Sequence, residues 1–214
     1  GVQTCALPIC DIGAVSFHET KNVISGEGGA LYVNRPDDVH RAEVVREKGT
    51  NRSQFFRGEV DKYTWCEAGS SYLPGELVAA FLWAQLQEME AITTRRMAIW
   101  HRYHDALARL ESQGWLRRPV IPPECGHNGH MYYVLLPNLP TRTRFIDWLK
   151  RDSIHAVFHY VPLHSSPFGS QFAPGLELPV TNDVADRLVR LPMWIGIEPH
   201  LDRVLDRVNS FFVQ

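Results

Sequence analysis

Residues 11–33 read DIGAVSFHETKNVISGEGGALYV: an apolar run, a segment of hydroxyls and charges, a glycine-rich turn and a second apolar run. The pattern predicts a strand IGAVSFH (12–18), a turn through Ser25-Gly26-Glu27-Gly28-Gly29 and a strand ALYV (30–33). Between them, Ser16-Phe17-His18-Glu19-Thr20-Lys21-Asn22 sets a lysine at a strand end beside hydroxyls. The glycine turn lets backbone amides approach an anion, so the segment suits an amine nucleophile placed next to a phosphate. Pyridoxal phosphate needs that pair, because a lysine holds its aldehyde as an imine while hydroxyls and N–H groups fix its phosphate. The same spacing also fits a solvated surface lysine and a plain hairpin turn, so the pattern alone leaves both readings open.

Outward from this stretch, Pro36-Asp37-Asp38 opens a helix with Val39, Ala42 and Val45 at helical spacing, and Gly49 stands where it can end. Residues 50–75 show no sustained period and predict a long ordered loop. From Pro74 to about Ser112 a helical pattern runs through Leu77, Phe81, Ala84, Met89, Ile92, Trp100, Leu107 and Leu110, with a bend expected at Thr93-Thr94 and a cap at Gly114. Beyond it come strand HMYYVLL (130–136), helix TRTRFIDWLKRD (141–152), strand IHAVF (154–158), a helix over 181–191 capped by Thr181, and a helix over 198–212. That alternation predicts an α/β C-terminal lobe.

The 214 residues are 44% hydrophobic and 21% charged, with Lys and Arg at 22 against 24 Asp and Glu. This excludes a disordered or collagen-like chain and gives no global attraction to nucleic acid or an anionic membrane. Four cysteines without a C-x-x-C pair point to a reducing cytoplasm, and no apolar run is long enough to cross a bilayer. The chain opens on Gly1, and its first ten residues, GVQTCALPIC, show neither period nor loop character. The expectation is a foreign or misread head on a truncated chain.

Several motifs in order carry a resemblance. Asp11-Ile12-Gly13-Ala14-Val15 leading into SFHETKN and GEGGA resembles the lysine segment of the DegT/DnrJ/EryC1/StrS sugar aminotransferases. REKGTNRSQFFRGEVDKYTW (46–65), GSSYL (69–73), HYVPLH (159–164) and RLPMW (190–194) are similar to the branch that makes dTDP-4-amino-4,6-dideoxygalactose (dTDP-fucosamine) for enterobacterial common antigen. The resemblance covers residues 11–214. It implies an α/β fold of the type I aminotransferase kind, present in part: 11–75 as the end of the large pyridoxal-phosphate domain, and 76–214 as a linking helix and small C-terminal domain. It further implies a cytoplasmic homodimer that moves an amino group from glutamate to the C4 ketone of dTDP-4-keto-6-deoxyglucose, with pyridoxal 5'-phosphate as cofactor.

By the same resemblance Lys21 holds the cofactor and carries protons, Ser16 contacts its phosphate, and His18 lies in the cofactor segment. Ser71 stands in Ser71-Tyr72-Leu73, where many relatives carry an Asn-Tyr-Arg run with a cross-subunit phosphate contact. Arg52 and Arg57, with Arg46 and Lys48, are candidates for gripping a diphosphate, and His159, Tyr160 and His164 for the sugar nucleotide. The acid that pairs with the pyridine nitrogen is expected upstream of this chain. The chain alone is therefore expected to be inactive, with Ile12, Val15 and Phe17 left without their neighbours.

Two rival readings come from other classes. Cys125, His127 and His130, followed by His155, His159 and His164, raise a metal-binding module, although neither set has zinc-ribbon or H-E-x-x-H spacing. A catalytically inactive scaffold or binding partner is the other. Lys21 argues against designed loss of chemistry in the parent protein.

Overall fold

The computed structural model describes residues 10–213. The head, apart from Cys10, lies outside the described residues. The chain divides into two compact units at Ile92/Thr93.

In the first unit, β1 (Ile12–Ser16) pairs antiparallel with β2 (Gly29–Val33), Ile12 opposite Val33 and Ser16 opposite Gly29. The first strand stops two residues short of the predicted end because the backbone of Phe17 turns to the glycine loop. Its N–H donates to the Gly28 carbonyl at 2.8 Å, and its carbonyl accepts from the Ser25 N–H at 2.7 Å. Phe17 is thereby buried, contrary to expectation, whereas Ile12 is exposed and Val15 half-buried.

The helix α1 (Pro36–Arg46) begins as the sequence indicates, with Pro36 in its first turn and Asp37 and Asp38 near the positive end of its dipole. Lys48 (φ 65°) and Gly49 (φ 76°) then turn the chain away. The segment 50–75 is not wholly a loop, since it contains α2 (Arg52–Phe56).

The long helical pattern resolves into α3 (Glu76–Gln87), α4 (Met89–Ala106) and α5 (Ala108–Ser112). Its breaks fall at Glu88 and Leu107, while Thr93 and Thr94 continue inside α4. β-Branched residues lower helix propensity by only a few tenths of a kcal/mol each and do not break a helix. Gly114 (φ 75°) ends the run, with the Gly114 and Trp115 N–H groups returned to the Glu111 and Leu110 carbonyls. α3 buries none of its residues, and Leu77, Phe81 and Trp83 are exposed on it.

The second unit is built on an antiparallel sheet of β3 (Tyr132–Leu135), β4 (Val157–Phe158) and β5 (Leu188–Leu191), in the order β3-β5-β4. Helix α6 (Leu139–Arg151) starts at Asn138, whose side-chain oxygen accepts from the Thr141 N–H at 2.9 Å. The helix expected over 181–191 is instead α7 (Pro179–Arg187) followed by β5, and Thr181 is not its cap. Pairing on both sides of Leu188-Val189-Arg190-Leu191 overrides the local helical pattern, as tertiary contacts do for short apolar runs. Helix α8 (Leu201–Phe212) buries Leu201, Val204, Leu205 and Val208, an i, i+3, i+4, i+7 stripe. These pack into one core with Tyr103, Tyr132, Phe145, Leu149 and Val189. Each such side chain contributes about 1.5–3 kcal/mol on burial.

Candidate active site

Lys21 lies on a turn braced from below. Buried Ser25 donates from its hydroxyl to the Glu27 carbonyl at 2.8 Å, and the Glu19 N–H donates to the Gly26 carbonyl at 2.8 Å. Gly26 (φ 82°) and Gly28 (φ 155°) take conformations that L side chains rarely adopt. A Cβ on Gly28 would sit 2.5 Å from the Ser25 hydroxyl. The Lys21 N–H closes the turn on the His18 carbonyl at 2.9 Å, and the lysine is exposed.

His18 is engaged within the same turn. Its Nδ1 lies 2.9 Å from the Thr20 hydroxyl and accepts from the Thr20 N–H at 3.2 Å, while its Nε2 faces a Glu27 carboxylate oxygen at 3.5 Å. Ser16 Oγ accepts from the His18 N–H at 3.3 Å, which leaves the Ser16 O–H to donate elsewhere. The structure thus brings Ser16, His18 and Lys21 together on one turn.

In the same unit the loop after α1 is tied to the segment 66–72 by backbone bonds. Lys48 N–H donates to Ser70 O, Cys66 N–H to Gly49 O and Tyr72 N–H to Arg46 O, which sets Ser71 opposite Glu47. Gly49 and Gly69 lie back to back, and a Cβ on Gly49 would stand 1.7 Å from the Glu67 carbonyl oxygen. Arg41 pairs with Glu67 across this junction.

The four basic candidates have different surroundings. Arg57 is held by Glu43 at 2.9 Å and Glu59 at 2.6 Å, and these bonds push its pKa above the ordinary guanidinium value. Arg46 meets Glu47 at 3.3 Å. Arg52 lies over the Phe56 ring at 5.0 Å and enters no ion pair among the described residues. Trp65 is 79% exposed, so it is not an anchor into this unit's interior.

His159, Tyr160 and His164 belong to the second unit, after β4. His159 is half-buried, and burial followed by the charge of Arg190 holds its pKa below the ordinary imidazole value. Its ring centroid is 4.9 Å from that of exposed Tyr160. His159 Nδ1 and His164 Nε2 are buried without hydrogen-bond partners, and so is Arg190 Nε. Arg190 escapes a sequence reading as a candidate because one arginine in LVRL reads as the solvent side of a strand. Only the pairing of β5 on both edges shows that it occupies the sheet's central strand.

A cleft of about 640 Å³ in the second unit is lined by Trp100, His101, His104, Cys125 and His127 among others. His104 stacks on Trp100 at 4.6 Å, and His127 meets the indole edge-on at 4.5 Å. Among the described residues no three His, Cys, Asp or Glu side chains converge as a metal-binding set. No helix among them is long and apolar enough to cross a membrane.

Known proteins share the fold of this chain. An aminotransferase TlmJ from Streptoalloteichus hindustanus superposes over 95% of the chain with a TM-score of 0.82 at 22% identity, which establishes the fold. DesV from S. venezuelae, solved in complex with a ketimine intermediate, matches 94% of the chain with a TM-score of 0.80 at 27% identity. The uncharacterized protein MJ1066 of Methanocaldococcus jannaschii is 29% identical over 212 residues. The chain covers 52% of TlmJ, 51% of DesV and 53% of MJ1066, about half the length of each relative. The α/β fold is thus that of the aminotransferase structures, present in part. The DegT/DnrJ/EryC1/StrS aminotransferase family model matches residues 3–209, and the chain belongs to that family.

Proposed function

We propose that the protein is a pyridoxal-phosphate-dependent sugar nucleotide aminotransferase to which these residues contribute the cofactor-holding lysine and the small C-terminal domain. The observation that carries this reading is the exposed amine of Lys21 on a glycine-braced turn, in a chain that the family model matches almost from end to end. The turn fits the cofactor's needs: a primary amine for its aldehyde, and the Ser16 O–H, left to donate, for a phosphate oxygen. When bound, pyridoxal phosphate supplies a conjugated electron sink that lets an amino group pass between two carbon skeletons.

The chain's own residues then have distinct tasks. Lys21 Nζ would hold the cofactor and, as an accessible amine, would take and return protons as a general base and acid. His18 orients the turn, since both its nitrogens face partners within it. Ser71 stands beside the loop 46–49 as a further cofactor contact. Arg52 is the most available of the three arginine candidates for the substrate diphosphate, since Arg46 and Arg57 are each paired with carboxylates. Arg57 would have to leave two carboxylates to serve there, so it holds the loop. His159, Tyr160 and His164 form the sugar nucleotide side.

The domain reading is 11–75 as the end of the cofactor domain and 76–214 as the linking helix and small domain. The substrates are glutamate and dTDP-4-keto-6-deoxyglucose, the product is dTDP-4-amino-4,6-dideoxygalactose for enterobacterial common antigen, and the working form is a cytoplasmic homodimer. Motif order in 46–65, 69–73, 159–164 and 190–194 supports that branch. Borohydride reduction of the complete protein with pyridoxal phosphate, followed by peptide mapping, tests the reading. Label on Lys21 and its loss in Lys21→Ala are expected; label on another lysine overturns the assignment.

A further inference from the structure

We propose that Met97, His101 and His127 form a binding site for cuprous copper in the histidine-lined cleft of the second unit. All three side chains line that one cleft. Met97 and His101 stand at i and i+4 on α4, so a single helical turn sets a thioether beside an imidazole. His127 meets them from the loop that follows Pro122-Pro123, its ring centroid 6.4 Å from that of His101. The His127 Nδ1 accepts from the Gly129 N–H at 3.4 Å, which leaves Nε2 to bind a metal.

The loop that carries His127 is fastened to the turn of α4 that carries Met97. Buried Arg96 donates from Nε to the Gly129 carbonyl at 3.0 Å and from a terminal nitrogen to the His130 carbonyl. Gly129 (φ 59°) comes so close to the helix that a Cβ there would stand 3.1 Å from the Arg96 carbonyl carbon and 3.3 Å from the Met97 nitrogen. One buried arginine thus holds donors from distant parts of the chain at a fixed separation, the task of the groups that surround metal ligands.

Two imidazoles and a thioether select a soft ion over Mg2+ or Ca2+, and the thioether favours cuprous copper. The Glu111 carboxylate in the same cleft is taken by the Arg118 N–H and Nε, each at 2.7 Å. The thioether also sets these donors apart from groupings of His, Cys, Asp and Glu, of which none converges in threes among the described residues. With metal–nitrogen bonds of about 2 Å, two imidazoles on opposite sides of one ion have centroids about 6.3 Å apart, and two on a tetrahedral ion about 5 Å. The observed 6.4 Å fits the wide angle of low-coordinate cuprous copper rather than tetrahedral zinc. Trp100 flanks both rings, its centroid 5.3 Å from that of His101 and 4.5 Å from that of His127, so its emission reports an ion held there.

The test is anaerobic binding of cuprous copper to the protein in competition with bicinchoninate, with Zn2+ in a separate arm. Cys5→Ser, Cys10→Ser, Cys66→Ser and Cys125→Ser are combined first, so that no thiol accounts for binding. One copper retained per chain, quenched tryptophan emission and an X-ray absorption spectrum with both nitrogen and sulfur neighbours are expected. His101→Gln, His127→Gln and Met97→Leu should each weaken binding by about tenfold or more, and His104→Gln, whose ring stacks on Trp100, by less than about threefold. Met97→Leu nearly keeps the side-chain volume, so its effect reads the thioether and not folding. Copper lost with the thiols, Zn2+ bound as tightly as copper, a spectrum without sulfur, or unchanged affinity in Met97→Leu or in folded His101→Gln and His127→Gln chains overturns the proposal. None of these outcomes depends on labelling at Lys21, so the copper site and the aminotransferase reading fail separately.

Discussion

Tyr103→Phe isolates one buried hydrogen bond that fixes the strand end just beyond Arg190. The Tyr103 hydroxyl donates to the Pro192 carbonyl at 2.7 Å, and its fully buried ring stacks on Tyr132 at 5.1 Å and 21°. Phenylalanine keeps the ring and the stacking but removes the donor, which strands a carbonyl away from water at a cost of about 1–2 kcal/mol. For a unit of roughly 120 residues, unfolding entropy near the midpoint is about 0.25 kcal/mol/K, so Tm should fall by about 4–8 °C. Tyr132→Phe is the internal control, because its hydroxyl lies 3.4 Å from His104 Nδ1, too long for a strong bond. That variant should lose less than about 0.5 kcal/mol. Urea unfolding of both variants, followed by far-UV circular dichroism, gives the two costs. Equal losses, or a neutral Tyr103→Phe beside a costly Tyr132→Phe, would refute the assignment of stability to the Pro192 bond. Burial also raises the pKa of both tyrosines above the ordinary phenol value. The folded state then holds protons that the unfolded chain releases, so stability contributed by this pair is present below about pH 10 and falls as pH rises beyond it.

Gly49→Ala should disorder the loop that carries Ser71, because its Cβ would collide with the Glu67 carbonyl at a left-handed backbone; rapid proteolytic nicking within 46–72 against an intact C-terminal unit is the expected readout. His104 and His127 have pKa values lowered chiefly by burial, so the unfolded chain binds more protons than the folded one as pH falls through about 6.5, and stability should drop there. A thermal midpoint lower at pH 5 than at pH 7.5, less so in His104→Gln, checks this, with Trp100 fluorescence reporting locally.

The sequence was most legible where one chain segment makes its own structure. The 11–33 hairpin follows from glycine placement and apolar runs, and α8 from a stripe that only a 3.6-residue period can bury. It was least legible where partners lie far along the chain. Nothing in REKGTNRSQFFRG says that Arg57 is satisfied by Glu43 and Glu59, so all four basic residues read alike as diphosphate ligands. Likewise Leu188–Leu191 reads as the end of a helix until β3 and β4 are known to flank it. Arg96 reads as one more surface charge on α4, yet it is buried and holds the carbonyls of Gly129 and His130.

On the proposed reading, the turn under Lys21 serves chemistry without enclosing it. A lysine that must bond an aldehyde and later move protons has to be accessible, yet a free loop would let its amine sample many positions and waste the proximity on which rate depends. Here the mobility is removed below the lysine rather than around it. Phe17 and Ser25 are buried beneath the turn, Gly26 and Gly28 accept backbone angles that other residues resist, and four backbone bonds close the frame. The Lys21 backbone is tied into that frame while its side chain is exposed. A Cβ at Gly28 would push on the Ser25 hydroxyl and loosen that frame from within, even though neither residue is expected to touch the cofactor. On the proposed reading the glycines of this turn do two things at once: they open the backbone to an anion, and they fix the origin from which the amine would reach its target.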